Sequence, residues 1–140
     1  MESIQRVKAW LEPHGVEVLE LAADTRSAPL AAQALGVEVG QIAKTLVFVG
    51  KKQRAVVVTC GDTRIDTRKL KELTGEKMRF ASPEETYEIT GYPPGGVCPF
   101  ALNDEVIILI DSSLERYPVV YAAAGTAQSA VPLSKEQLVA

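Results

Sequence analysis

The sequence predicts a mixed α/β fold, a single compact domain over residues 1–140 built around one mostly antiparallel or mixed sheet. Three observations carry this. The length of 140 residues falls near the commonest domain size. Apolar positions recur at helical spacing in some segments and alternate in others, and the two kinds of segment are interspersed. The strand-like runs 42–49 and 54–60 are separated by Gly50-Lys51-Lys52-Gln53, a hairpin connection.

Taken in order, residues 3–12 place Ile4, Val7, Lys8 and Leu11 at helical spacing and stop at Pro13, with a turn at His14-Gly15. Residues 16–21 alternate and read as a strand. Thr25 or Ser27 caps a helix over 28–35, which Gly36 ends. After the hairpin, 66–73 is helical with Gly75 behind it, and 78–80 is a short strand. Ser82-Pro83-Glu84-Glu85 combines a capping serine, a proline at the first helical position and an acidic first turn, so a helix is expected over 83–89, closed by Gly91. A Pro/Gly loop spans 92–99. A buried strand at 106–110, a turn or short helix after Asp111, a strand at 119–123 and a terminal helix near 134–139 complete the reading.

Composition narrows the function classes. The chain is 46% hydrophobic and 24% charged, too apolar for a disordered segment. Its first ten residues interrupt any apolar run with Glu2, Arg6 and Lys8, unlike a signal peptide, and no apolar stretch approaches the ~18 residues of a membrane span. A cytoplasmic protein without a membrane association is expected. Cys60 and Cys98 form no C-x-x-C pair and are expected to be free thiols; with His14 they offer at most three Cys or His ligands, so no metal or other cofactor is expected. Charge is uneven. Residues 41–79 carry ten basic side chains against four acidic, while the rest carries five against fourteen. A basic middle in an acidic protein is the pattern of a face that docks a polyanion, although solvated surface elements give the same pattern.

Two segments carry candidate chemistry. In Gly40-Gln41-Ile42-Ala43-Lys44-Thr45-Leu46-Val47-Phe48-Val49, strand alternation puts Lys44 on one face with Ile42, Leu46 and Phe48. A lysine near a strand's entry can snorkel to water along its own methylenes; it can also aim a charge into a pocket. In Thr90-Gly91-Tyr92-Pro93-Pro94-Gly95-Gly96-Val97-Cys98-Pro99-Phe100, Pro94-Gly95 suits a tight turn, and Gly96 leaves a backbone N–H open to approach by a carbonyl or oxyanion. Asp111 precedes Ser112-Ser113-Leu114-Glu115 and reads as a cap. Nothing near Cys98 in sequence offers a base to generate a thiolate, and a triad would have to be built around His14 alone.

The order of these pieces resembles the YbaK/ProX family of editing domains related to the bacterial prolyl-tRNA synthetase editing domain. The matching segments are Ala31-Ala32-Gln33-Ala34-Leu35-Gly36-Val37, Gln41 to Phe48, Gly91 to Phe100, and Tyr121-Ala122-Ala123-Ala124-Gly125. The resemblance implies a stand-alone aminoacyl-tRNA deacylase acting in trans on the 3′ end of mischarged tRNA, often tRNA for proline carrying a smaller amino acid. The family's invariant lysine corresponds to Lys44 and its glycine-rich substrate loop to Gly95 and Gly96. Thr45, Val97, Gly125 and Ser129 are candidate pocket or ribose contacts, and Lys51, Lys52, Arg68 and Lys69 are candidate tRNA contacts. Prolyl-tRNA synthetase or an elongation factor is the kind of protein partner implied. The branch acting on cysteinyl-tRNA for proline carries an acidic residue where this chain has Gln128-Ser129-Ala130-Val131, and the alanine-specific branch has asparagine where this chain has Thr45, so substrate identity stays open. The other reading is a non-catalytic module that binds an aminoacyl-tRNA or a free amino acid.

Overall fold

The computed structural model describes the chain except residues 1, 2, 23, 26, 94, 95, 104, 127, 135, 136 and 138–140. Among the described residues four α-helices, α1 (Ser3–Leu11), α2 (Ala28–Leu35), α3 (Thr67–Thr74) and α4 (Pro83–Thr90), are interspersed with seven strands: β1 (Leu19–Glu20), β2 (Ala43–Val49), β3 (Arg54–Cys60), β4 (Arg79–Phe80), β5 (Ile107–Ile110), β6 (Val120–Ala122) and β7 (Ser129–Leu133). The mixed α/β class is as expected. The strands divide between two sheets, a four-stranded one in the order β4-β2-β3-β5 and a three-stranded one in the order β1-β7-β6, joined by a bridge between Ile42 and Tyr121. Among the described residues the strand pairings are antiparallel except β3 with β5, and the Ile42–Tyr121 bridge is parallel.

Local chemistry accounts for the helix ends. Ser27, Asp66 and Ser82 accept hydrogen bonds from the first-turn backbone of α2, α3 and α4, and Glu85 reaches back to the Ser82 N–H to complete a capping box. Gly36, Gly75 and Gly91 close the same three helices in the left-handed conformation.

The four-stranded sheet is covered on both faces. On one side Ala43, Val47, Val56, Val58 and Cys60 pack with Val7 and Leu11 of α1 and with Val120, Ala122, Val131 and Leu133 of the second sheet. On the other, Phe48, Ala55 and Val57 pack with Leu70 of α3 and Met78. Continuous burial of 55–60 follows from this double cover, as does the near-unbroken apolar run of β3.

Four expectations are corrected. The one sheet expected is two, because β7 pairs with β6 and with β1, and these meet the larger sheet at the Ile42–Tyr121 bridge. The strand expected at 16–21 is confined to Leu19–Glu20. The strand ending at Ile110 lies at a sheet edge, paired only with β3, and Ile108 is 44% exposed, so it is not a buried strand. Residues 129–133 form the central strand of the smaller sheet, where no strand was expected, because Pro132 interrupts the pattern; β1 has already ended at that level, leaving β6 as the only partner. The expected terminal helix lies mostly outside the described residues. Among the described residues no helix is long and apolar enough to cross a membrane.

Candidate active site

A cavity of about 210 Å³ opens where the two sheets meet. One wall is Ile42 and the start of β2, from Ala43 to Leu46; the others are Ala28, Ala31 and Leu35 of α2, Tyr121 to Ala123 around β6, Ser129 and Ala130 of β7, and Val97 of the glycine loop. Such a volume is below the ~300–1,000 Å³ usual for drug-sized ligands, so it takes a small group and leaves any larger remainder outside. The small side chains of α2 and β6 make the space, and the lining is mainly apolar.

Lys44 and Thr45 enter from adjacent positions of β2 and therefore from opposite faces of the strand. The Lys44 ammonium donates to the carbonyl oxygens of Thr63 at 2.7 Å and Gly61 at 3.5 Å. An ammonium has three donors, so one remains for a ligand. The turn that supplies these carbonyls is itself pinned. The hydroxyls of Thr59 and Thr63 lie 2.6 Å apart, Thr63 Oγ1 donates to the Cys60 carbonyl, and Asp62 pairs with Arg116 at 2.5 Å. The Arg116 guanidinium holds the Asp62 carboxyl below its usual range, so the charge beside Lys44 persists at moderately acid pH. Thr45 Oγ1 is buried and has no hydrogen-bond partner among the described residues.

The opposite wall has its polar groups engaged. Ser129 Oγ accepts from the Ala124 N–H and donates to the Thr126 carbonyl, and its backbone is tied to the Thr25 hydroxyl. The Gly125 N–H donates to the Gly96 carbonyl at 2.9 Å. Gly96 does not offer the open N–H expected of it: that group donates to the Pro93 carbonyl at 3.0 Å. Its missing side chain serves another purpose, since a Cβ there would lie 2.6 Å from the Gly125 and Thr126 backbone. Gly95 lies outside the described residues.

Lys44, Thr45, Val97 and Ser129 thus meet at one cavity, with Gly96 and Gly125 bracing its rim. Lys51 and Lys52 sit on the β2–β3 turn and Arg68 and Lys69 on α3, away from the cavity lining. Sequence reasoning did not find Thr25, the alanines of α2 or Tyr121 as lining, nor the carbonyls that hold Lys44; no residue type marks a backbone acceptor. Arg6 was also missed. From α1 it lies over the Tyr92 ring at 4.4 Å and donates to the Thr90 carbonyl, tying α1 to the start of the glycine loop.

Neither cysteine is placed to be a nucleophile. Both are buried and unpaired; burial pushes the Cys98 thiol up to about 11, and Cys60 Sγ donates to the Ser113 carbonyl. His14 sits exposed against Trp10, outside the cavity. Among the described residues no group of three or more His, Cys, Asp or Glu is arranged to hold a metal ion.

Known proteins resemble the chain over most of its length. YwhH of Bacillus subtilis is 37% identical over 87% of this chain and 78% of its own length. EbsC of Enterococcus faecalis, named as a proposed Cys-tRNA(Pro)/Cys-tRNA(Cys) deacylase, is 30% identical over 93% of this chain and 74% of its own. A crystal structure described as a proposed trans-editing enzyme for prolyl-tRNA synthetase superposes with a TM-score of 0.90 at 42% identity, covering 99% of this chain and 90% of that one. The model of the aminoacyl-tRNA editing domain matches residues 22–140, and the chain belongs to that family.

Proposed function

We propose that the chain hydrolyses the ester of mischarged aminoacyl-tRNA in trans, without a metal ion or covalent intermediate, taking a small aminoacyl group into the cavity beside Lys44. The observation that carries this is the Lys44 ammonium, anchored by two carbonyls with one donor left over, at the wall of a small apolar cavity. An ester carbonyl entering there gains a charged donor for the negative charge that develops when water attacks. With both thiols buried and Ser129 Oγ engaged, no activated nucleophile is found among the described residues, and the attacking group in this reading is water or a hydroxyl of the substrate.

The tRNA body stays outside. Lys51, Lys52, Arg68 and Lys69 are its proposed phosphate contacts, in keeping with the basic character of residues 41–79. The likeness to EbsC and to the trans-editing structure supports tRNA for proline as a substrate, and membership of the editing-domain family supports the cytoplasm as the place of action. The test is a panel of tRNAs for proline charged with alanine, serine, cysteine or proline, assayed with and without chelator. Hydrolysis of at least one small mischarged species, unaffected by chelator, is expected; a panel left intact by folded protein overturns the reading.

A further inference from the structure

We propose that Phe80 is a stacking platform for an unpaired nucleotide of the tRNA 3′ strand; this rests on the deacylase reading above. Phe80 lies on β4, the edge strand of the larger sheet, directly opposite Phe48. Its ring packs on that of Phe48 at 4.6 Å, and Phe48 is fully buried, yet Phe80 itself stays 58% exposed. One face of the ring closes the core. The other is presented to solvent, and an exposed aromatic face is a sequence-tolerant surface for a nucleobase.

Register relates this ring to Lys44. Residues 44, 46 and 48 share one face of β2, and Phe80, cross-strand from Phe48, projects on that same face. Four residues of strand separate Lys44 from Phe48, about 13 Å, which at ~3.4 Å per stacked nucleotide is the reach of the few nucleotides just before the terminal one. An ester held at Lys44 therefore brings its own preceding strand within reach of Phe80.

Charge favours the same occupant. The segments beside Phe80, residues 50–54 and 76–80, carry Lys51, Lys52, Arg54, Lys77 and Arg79 against Glu76 alone. Glu76 accepts from the backbone N–H groups of Lys52 and Gln53, Arg79 is paired with Glu85 at 2.8 Å and Arg54 donates to the Gln53 carbonyl at 3.3 Å, so Lys51, Lys52 and Lys77 are the cations proposed to face phosphates. An aromatic ring framed by cations is the pattern of single-stranded nucleic acid binding, and no such need arises for a ring whose only task is to cover Phe48.

The test uses an uncharged RNA hairpin ending in the unpaired 3′ strand of a tRNA acceptor stem, with 2-aminopurine placed in turn at each unpaired position. Wild type is expected to quench one position before the terminal one. Phe80→Ala and Phe80→Leu should lose that quenching and weaken binding about tenfold or more, and Phe80→Trp should restore both. The leucine variant keeps an apolar cover over Phe48, so a folding defect in the alanine variant does not decide the outcome. In parallel, the preference for mischarged tRNA over the aminoacyl ester of adenosine alone, as a ratio of kcat/KM, should fall about tenfold or more in Phe80→Leu. Phe80-dependent quenching by a protein that cleaves no ester sinks the deacylase reading and leaves the platform standing. Efficient deacylation with quenching and substrate preference unchanged in Phe80→Leu sinks the platform and leaves the deacylase.

Discussion

The two walls of the cavity differ in what their polar groups have left to give. On the β2 wall, Lys44 has a donor to spare and Thr45 Oγ1 has no partner among the described residues. On the wall formed by the glycine loop and β7, Ser129 Oγ both donates and accepts, the Gly96 N–H is taken by Pro93, and Gly125 is bonded to Gly96. Both walls contain residues singled out from the sequence, but of the groups just named only those of the first hold unspent hydrogen-bonding capacity. A buried polar group left without a partner costs stability, about 1–3 kcal/mol, so at a cavity it is a group that a ligand can complete. The β2 wall is therefore read as the chemical wall and the loop wall as its scaffold.

The largest expected effect tests the chemical wall. Lys44→Met keeps the methylene stem and removes the charge, and deacylation at saturating tRNA should fall about 100-fold or more, the usual loss for a donor to a developing oxyanion. Stability should drop only by about 1 kcal/mol, because Lys44 is half-buried and water can reach the freed Thr63 and Gly61 carbonyls. Single-turnover rates and thermal melts on the same preparation check both; a normal rate in the variant removes Lys44 from the chemistry.

Next comes the scaffold. In Gly96→Ala the new methyl meets backbone atoms at 2.6 Å, and backbone does not swing aside as a side chain does. A loss of stability of about 1–3 kcal/mol is expected, with catalysis per folded molecule falling in step with the displaced loop. If the melting temperature holds while the rate collapses, Gly96 belongs to the chemical wall after all.

The hydroxyl pair gives the sharpest contrast at a smaller scale. Thr45→Val preserves shape and deletes an unpaired group, so stability should hold or rise while kcat/KM drops about tenfold. Ser129→Ala should do the reverse in stability, costing about 1–3 kcal/mol by stranding the Ala124 N–H and the Thr126 carbonyl. Equal stability losses in the two variants would erase the distinction between the walls.

How much of this could be read from the sequence follows the same division. Helices α2 and α4 were legible to within a residue because their caps are side chains: Ser27 and Ser82 at one end, Gly36 and Gly91 at the other. The β2–β3 hairpin was legible because double burial makes both strands apolar. Strand β7 was not, since Pro132 argues against a strand unless its neighbours are known. Nor could the sequence tell that the strands split into two sheets, which meet at the bridge of Ile42 with Tyr121 across 79 residues of chain. At the site, Lys44 stood out as a charge on an apolar face and the glycine loop by composition. The use of the Gly96 N–H was hidden because backbone hydrogen bonds leave no mark in residue identity.

The smallest effect concerns an ion pair on neither wall, and it sets the scale for a change that is electrostatic alone. Arg79 donates two hydrogen bonds to Glu85, each 2.8 Å, and these, followed by the Ser82 N–H, hold the Glu85 carboxyl down to about 2. The unfolded value is about 4.3. A folded value below the unfolded one means that the contribution is present above about pH 4.3 and is lost as pH falls from there toward 2. Arg79 is largely exposed, so the amount is small and salt-dependent. Glu85→Gln keeps an acceptor for the Ser82 N–H and removes only the charge. Melting temperatures of wild type and variant should differ most near neutral pH in low salt, converge as the acid limb is crossed, and converge again when salt is raised at neutral pH. A gap that is constant with pH and salt would assign the stabilisation to the capping box, making Arg79 a bystander to α4 and leaving its guanidinium free for a phosphate.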